Sequence, residues 1–143
     1  MLPGGGTYQT HLDELIKTQK RIIRTINHST RLEHTNLLFK ENNLLKLTDI
    51  NKIETLKIIH KHENDKLPQT FQNCITKNKD KHDYDTRQRN DYTVPKYKRE
   101  IARRSSVFSR GVGYWNKLPD QLKSVNSENN FKNKLKTQII SRY

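Results

Sequence analysis

The chain has 143 residues, of which 28 are Lys or Arg and 15 Asp or Glu, a net charge of +13. Only 31% of it is hydrophobic, which excludes a single large core and suits one mainly α domain: several short amphipathic helices around a thin core, with a long basic loop. Solubility alone needs no more than about 8 net charges on a small domain, so the excess points to an anionic partner, of which nucleic acid is the commonest.

The first predicted helix covers Tyr8 to Asn27. Leu12, Leu15, Ile16, Gln19, Ile22, Ile23 and Ile26 recur at helical spacing, with Lys17, Lys20, Arg21 and Arg24 mainly on the other side. A short second helix starts after Thr35, a good N-cap, and carries Leu37, Leu38 and Phe39. Asn42-Asn43 closes it. The third begins near Thr48-Asp49 and buries Ile50, Ile53, Leu56, Ile58 and Ile59. It stops at about Asn64, before Leu67-Pro68, because the residue preceding proline avoids the helical region. Pro68 can open a short fourth helix with Phe71, Cys74 and Ile75.

Composition then changes. Lys77 to Arg110 holds 11 Lys and Arg against 5 Asp and Glu, a net +6, with few apolar residues and with Tyr84, Tyr92 and Tyr97 spaced among the charges. Such a stretch is expected to be a long loop or partly disordered arm. Helical pattern resumes at Ser105-Ser106 with Val107, Phe108, Val112, Trp115 and Leu118, weakened by Gly111 and Gly113. Pro119 to Leu122 reads as a turn. Ser127 caps a last helix whose stripe is Phe131, Leu135, Ile139 and Ile140, with Lys132, Lys134 and Lys136 on its solvated side. The chain thus divides into a helical segment 7–76, a basic linker 77–104 and a helical segment 105–143.

No catalytic constellation is present. There is no Walker loop, no G-x-S-x-G elbow and no Asp-Asp pair, so a two-metal polymerase site cannot be built from this sequence. No cofactor is expected. One cysteine, Cys74, excludes a disulfide framework and a Cys-rich zinc site. His60, His62, Cys74 and His82 match no zinc-finger spacing. His60 and His62 would face different sides of a helix, and scattered surface histidines are the expectation. Met1 to Gly6 lacks the features of a signal peptide, and no apolar run approaches the ~18 residues of a membrane span. An intracellular protein, cytoplasmic or nuclear, with no membrane partner is expected.

The basic linker carries the most chemistry. Arg87 and Arg89 are followed by Lys96, Lys98, Arg99, Arg103 and Arg104, with Arg110 just beyond. These cations can neutralise phosphates while the tyrosines stack on unpaired bases, the combination a single-strand or structured-RNA binder uses. The alternative is a solvated loop whose arginines pair with nearby acids. A structural Arg–Asp pair is expected for Arg87, and phosphate contact for Lys96 to Arg104, where the net charge is +4. Trp115, Asn116, Leu118 and Pro119 read as a packed corner: Trp115 buried, Asn116 hydrogen-bonded to the turn, Pro119 stopping the helix.

The order of these motifs resembles a known family. Arg104-Ser105-x-x-Phe108-Ser109-Arg110-Gly111-x-x-x-Trp115-Asn116-x-Leu118-Pro119, then Ser127 and Phe131-Lys132-x-x-Leu135-Lys136, is similar to the C-terminal tail of jockey-like and related non-LTR retrotransposon reverse transcriptases. Upstream, Gly6-Thr7-Tyr8, Gln19-Lys20-Arg21-x-Ile23-Arg24 and His34-Thr35-Asn36-x-Leu38-Phe39 resemble the stretch after the polymerase thumb, and His82-x-x-x-Thr86-Arg87 also matches. The resemblance runs from about Gly6 to the C-terminus. It implies a parent RNA-directed DNA polymerase that copies its own RNA into DNA at a chromosomal nick. It also implies that the fingers and palm, with their magnesium-binding aspartates, precede this segment, as in a truncated genomic copy. The family's catalytic residues map onto no position here, and the Cys-rich zinc knuckle of some relatives is absent. Two functions follow as expectations: a reverse-transcriptase tail that contacts RNA or DNA, or a non-binding structural or protein-interaction remnant.

Overall fold

The structure, a computed structural model, describes residues 9–81, 83, 85–98 and 106–143. Its α-helices are α1 (Gln9–Ile26), α2 (Thr35–Glu41), α3 (Leu47–Glu63), α4 (Gln69–Gln72), α5 (Val107–Asn116), α6 (Asp120–Lys123) and α7 (Glu128–Ser141), with a 3-10 turn at Asn78–Asp80. Among the described residues the only extended pairing is one antiparallel bridge, Lys77 to Tyr92. The fold is mainly α. Arg99, Arg103 and Arg104, and also Tyr8, His82, Tyr84 and Ser105, lie outside the described residues.

The main core forms where α5 and α7 pack on α3. The buried face of α3 is Ile53, Leu56 and Ile59, spaced at helical repeat. Val112 and Trp115 of α5 and Phe131, Leu135 and Ile139 of α7 close on that face, joined by Ile75, Tyr92 and Leu122. Each such side chain, once fully buried, contributes about 1.5–3 kcal/mol. The segments before and after the basic linker therefore share one core. The expected stripe of the last helix is the observed one: Phe131, Leu135, Ile139 and Ile140 are all buried. Ser106 and Ser127 cap α5 and α7, accepting from Ser109 N and Asn130 N. Thr35, expected as a cap, is instead the buried first residue of α2, after His34. Pro119 to Leu122, expected as a turn, opens the single-turn α6 and buries Leu122.

His60 corrects the expectation of surface histidines. It is fully buried on α3, stacked on Phe131 at 4.4 Å between ring centroids, with Nε2 2.5 Å from the Val125 carbonyl. That carbonyl can only accept, so the ring carries its proton on Nε2 and donates it. His62, two residues on, faces Tyr92 and Gln72 instead.

Gly111 explains why α5 can lie so close to α3. A Cβ there would stand 2.8 Å from Ile59 Cγ1 and 2.9 Å from Ile59 Cδ1. Gly113, two residues on, meets nothing within 4 Å. The glycines that weaken this helix by propensity thus differ in purpose.

The N-terminal helices form a smaller cluster: Ile23 of α1 with Leu38 and Phe39 of α2, against Tyr143. Gln19 joins α1 to α3, donating to Leu45 O and accepting from Leu47 N, both at 2.9 Å. It sits in the apolar stripe of α1 yet works as a polar clamp. The rest of that stripe is largely uncovered: Leu15, Ile22 and Ile26 remain 55%, 53% and 58% exposed. Tyr143 packs its ring edge-on to Phe39 and donates its hydroxyl hydrogen to Asp49 at 2.5 Å, while accepting from Lys46 N. Burial first, then the Asp49 bond, raises its hydroxyl above the ordinary tyrosine value, so it remains a donor.

α1, α2 and α3 end in the same way. His28, Asn43 and Asp65 take the left-handed conformation (φ 50, 51 and 54°). The following amides reach back five residues, Ser29 N to Arg24 O, Leu44 N to Phe39 O and Lys66 N to Lys61 O. This is the Schellman motif, usually closed by glycine. In urea melts, Gly111→Ala should destabilise the protein by about 1–3 kcal/mol through overpacking against Ile59. Gly113→Ala should be neutral or stabilise by up to about 1 kcal/mol, because it adds helix propensity in open space.

Candidate nucleic-acid interface

The described part of the basic linker is tied by hydrogen bonds that its composition does not suggest. Over 76–93 it folds back on itself. Asn78 N donates to Asp91 O, Lys79 N to Arg89 O and Thr93 N to Thr76 O, all at 2.8–2.9 Å. Asn78 adds its side chain, donating to Gln88 O and accepting from the Thr93 hydroxyl, both at 2.8 Å.

Tyr92 anchors this loop to the helical core. It is 3% exposed. Its hydroxyl donates to the Glu63 carboxylate and lies 3.1 Å from His62 Nδ1. Its peptide is gripped on both sides by Asn116, which accepts from Tyr92 N at 3.1 Å and donates to Tyr92 O at 2.9 Å. Asn116 was expected to bond its own turn; it holds the distant loop instead. Trp115, beside it, is buried as expected. Leu118 is half-buried and its amide closes on Trp115 O, with Pro119 starting the next helix.

A buried Tyr92 cannot stack on a base. Among the described residues, Tyr97 is the linker tyrosine left for stacking, 40% exposed with its hydroxyl 2.9 Å from Ser106 Oγ. The physical reason for Tyr92's burial is long-range: Glu63 and Asn116 are 29 and 24 residues away in sequence.

Around Glu63, burial favours the neutral acid, but the Lys77 and Tyr92 hydrogen bonds and the Lys77 charge outweigh it. Its carboxyl is held below the ordinary value of 4.5. Lys77 Nζ sits 2.5 Å from Glu63 Oε1. Burial, followed by the Glu63 bond, raises the Tyr92 hydroxyl well above its usual range.

The predicted cations separate into groups. Arg87 and Arg89 stand exposed at the loop tip. The Arg–Asp pair expected for Arg87 is formed by Arg89, which meets Asp85 at 3.5 Å; among the described residues Arg87 has no ion pair. Lys96 and Lys98 are exposed, and Lys96 borders a cleft of about 610 Å³ together with Lys81. Arg110 stands apart. It is half-buried on α5, with Nη1 3.4 Å from Asn51 Oδ1 of α3 and its Nε buried without a partner. Arg110 therefore belongs to the α3–α5 contact and not to the exposed cations.

A second basic surface, missed by reading the linker alone, lies on α1. Lys17, Lys20, Arg21 and Arg24 share a face with His28 and Arg31 of the following turn, around a groove of about 910 Å³. Its signal in the sequence is the i, i+3, i+4, i+7 spacing of cations on the side of the helix opposite the apolar stripe.

Among the described residues no group of three His, Cys, Asp or Glu is placed to hold a metal ion, and no helix is long and apolar enough to cross a membrane. Comparison with protein-family models, with curated proteins and with solved structures finds no match.

Asn116→Ala should cost about 1–3 kcal/mol, because it leaves both polar groups of the Tyr92 peptide without their partner. Limited proteolysis should then cut within 77–92 more readily than in the parent. The lowered folded-state pKa of Glu63 makes a further expectation. Its stabilising contribution is complete above the ordinary value of 4.5 and is lost as pH falls through the lowered folded value. Melting temperature should therefore decline below about pH 4.5, and Glu63→Gln should flatten that decline while lowering stability at neutral pH.

Proposed function

We propose that this chain is the C-terminal segment of a non-LTR retrotransposon reverse transcriptase, holding no polymerase site of its own and contacting RNA or DNA through the basic linker. The parentage rests on motif order from about Gly6 to the C-terminus, with Lys136 the last motif residue. The nucleic-acid contact rests on one observation: the linker backbone is tied to the core at Tyr92 and Asn116, while Arg87, Lys96 and Lys98 stay exposed and, among the described residues, unpaired. Anchored backbone with free cations is an arrangement suited to phosphates, because the cations are presented without ordering the chain on binding.

The second reading, a protein-interaction remnant, is favoured by the exposed Leu15, Ile22 and Ile26 of α1 and by Leu37 of α2. An uncovered apolar face of this kind is a common mark of a missing partner. The two readings separate in solution. A nucleic-acid binder should bind labelled RNA with an affinity that falls steeply between about 50 and 200 mM salt. Replacing Arg87, Arg89, Lys96 and Lys98 by Gln should reduce the slope of log affinity against log salt by up to about 3.6 on duplex targets. Absence of RNA and DNA binding at about 50 mM salt, together with self-association, would decide for the remnant.

A further inference from the structure

The groove on α1 has features that the linker lacks. The side chains around it include Lys17, Lys20, Arg21, Arg24, His28 and Arg31, and no carboxylate. Within α1, Lys17 stands three and four residues before Lys20 and Arg21, and Arg24 four and three after them, so these four share one helical face. Arg24 is fixed in place: its Nε and Nη2 donate to the Glu33 carbonyl at 3.3 and 3.1 Å. That contact draws the 27–33 turn back beside the helix and makes the second wall. The turn itself is the Schellman end of α1, with His28 in the left-handed conformation. Two acids, Asp13 and Glu14, stand on α1 one turn before this face. Glu14 pairs with Lys17 at 3.1 Å, both side chains mostly exposed, a contact of little strength. Lys20 and Arg21 are exposed and have no ion pair among the described residues.

We propose that this groove binds the sugar-phosphate backbone of double-stranded nucleic acid. A lining of five Lys and Arg with no carboxylate suits closely spaced phosphates, and a duplex carries about one charge per 1.7 Å of axis. No Phe, Tyr or Trp lines the groove. Binding of single strands draws heavily on bases stacked on such rings, which this surface lacks. What it offers is charge and hydrogen-bond donors aimed outward, the contacts that position a protein on a duplex without reading sequence. The site is separate from the basic linker and does not depend on the parentage proposed above.

The test uses the whole chain and a fluorescent RNA duplex of about 20 base pairs, titrated by anisotropy between about 50 and 200 mM salt. The groove variant is Lys17→Gln, Lys20→Gln and Arg21→Gln, since Gln keeps helix propensity. It should lower duplex affinity by about tenfold or more and reduce the salt slope by about 2.7, three contacts at about 0.9 each. A charge-matched variant on other surfaces, Lys117→Gln, Lys132→Gln and Lys134→Gln, should change the slope less. The charge-preserving Lys17→Arg, Lys20→Arg, Arg21→Lys variant should keep both affinity and slope, which removes misfolding as an explanation. The proposal is overturned if the groove variant keeps the parent slope, if the charge-matched variant loses as much, or if polyglutamate displaces the duplex as well as unlabelled duplex does. Loss confined to the variant at Arg87, Arg89, Lys96 and Lys98 would overturn this site and leave the linker as the contact. Loss confined to the groove variant would support this site and remove the linker.

Discussion

The close crossing of α5 over α3 is the constraint from which the rest of the molecule follows. A methyl group at Gly111 would stand inside the Ile59 side chain. With hydrogen there, Val112 and Trp115 reach the α3 face together with Phe131 and Leu135 of α7. The same crossing sets where α5 ends. Asn116, its last residue, comes opposite the Tyr92 peptide, and Glu63, the last residue of α3, comes opposite the Tyr92 hydroxyl. Two helix ends thus hold one residue of the linker, and the cations on either side of it are displayed from a fixed base.

A chain so poor in apolar residues compensates with amides and phenols. Gln19 spans Leu45 and Leu47 as Asn116 spans Tyr92, each supplying one donor and one acceptor to irregular backbone. Tyr92 and Tyr143 each bury a ring and end on a carboxylate. Backbone that would otherwise sit near the core with unmet hydrogen bonds is satisfied this way, at a net gain of about 1 kcal/mol per bond. The consequence for function is that two of the tyrosines serve as structural anchors. Base stacking in the linker, if it occurs through a described residue, falls to Tyr97.

Helix existence was legible in the sequence wherever apolar residues recurred at helical period. Phe131, Leu135, Ile139 and Ile140 are buried as that period required, and Ser127 caps as its position implied. What the period could not show was which stripes find a partner. The stripe of α1 is as regular as that of α7, yet mainly Ile23 is covered. Helix ends were also blurred, because the Schellman positions are filled by His28, Asn43 and Asp65, while the chain's five glycines lie elsewhere. The anchorage of the linker was hidden for a third reason. Tyr92 is held by Glu63 and Asn116, 29 and 24 residues away, and local composition carries no trace of pairings that distant. The half-burial of Arg110 was hidden on the same ground, since its neighbour Asn51 is 59 residues away.

α1 is where charge and stability meet. Lys17, Lys20, Arg21 and Arg24 place like charges three and four apart, each such pair opposing the helix by about 0.2–0.5 kcal/mol. The exposed Leu15, Ile22 and Ile26 return little of that cost. What holds α1 is Ile23 in its small cluster, the Gln19 clamp, and Arg24 on the Glu33 carbonyl. A helix held so lightly gains from any ligand that neutralises its cations. A bound duplex removes the repulsion and adds the stabilisation that a ligand specific for the folded state always brings. The row of cations that looks like a structural cost in the free chain is, in the proposed complex, the reason α1 becomes firm.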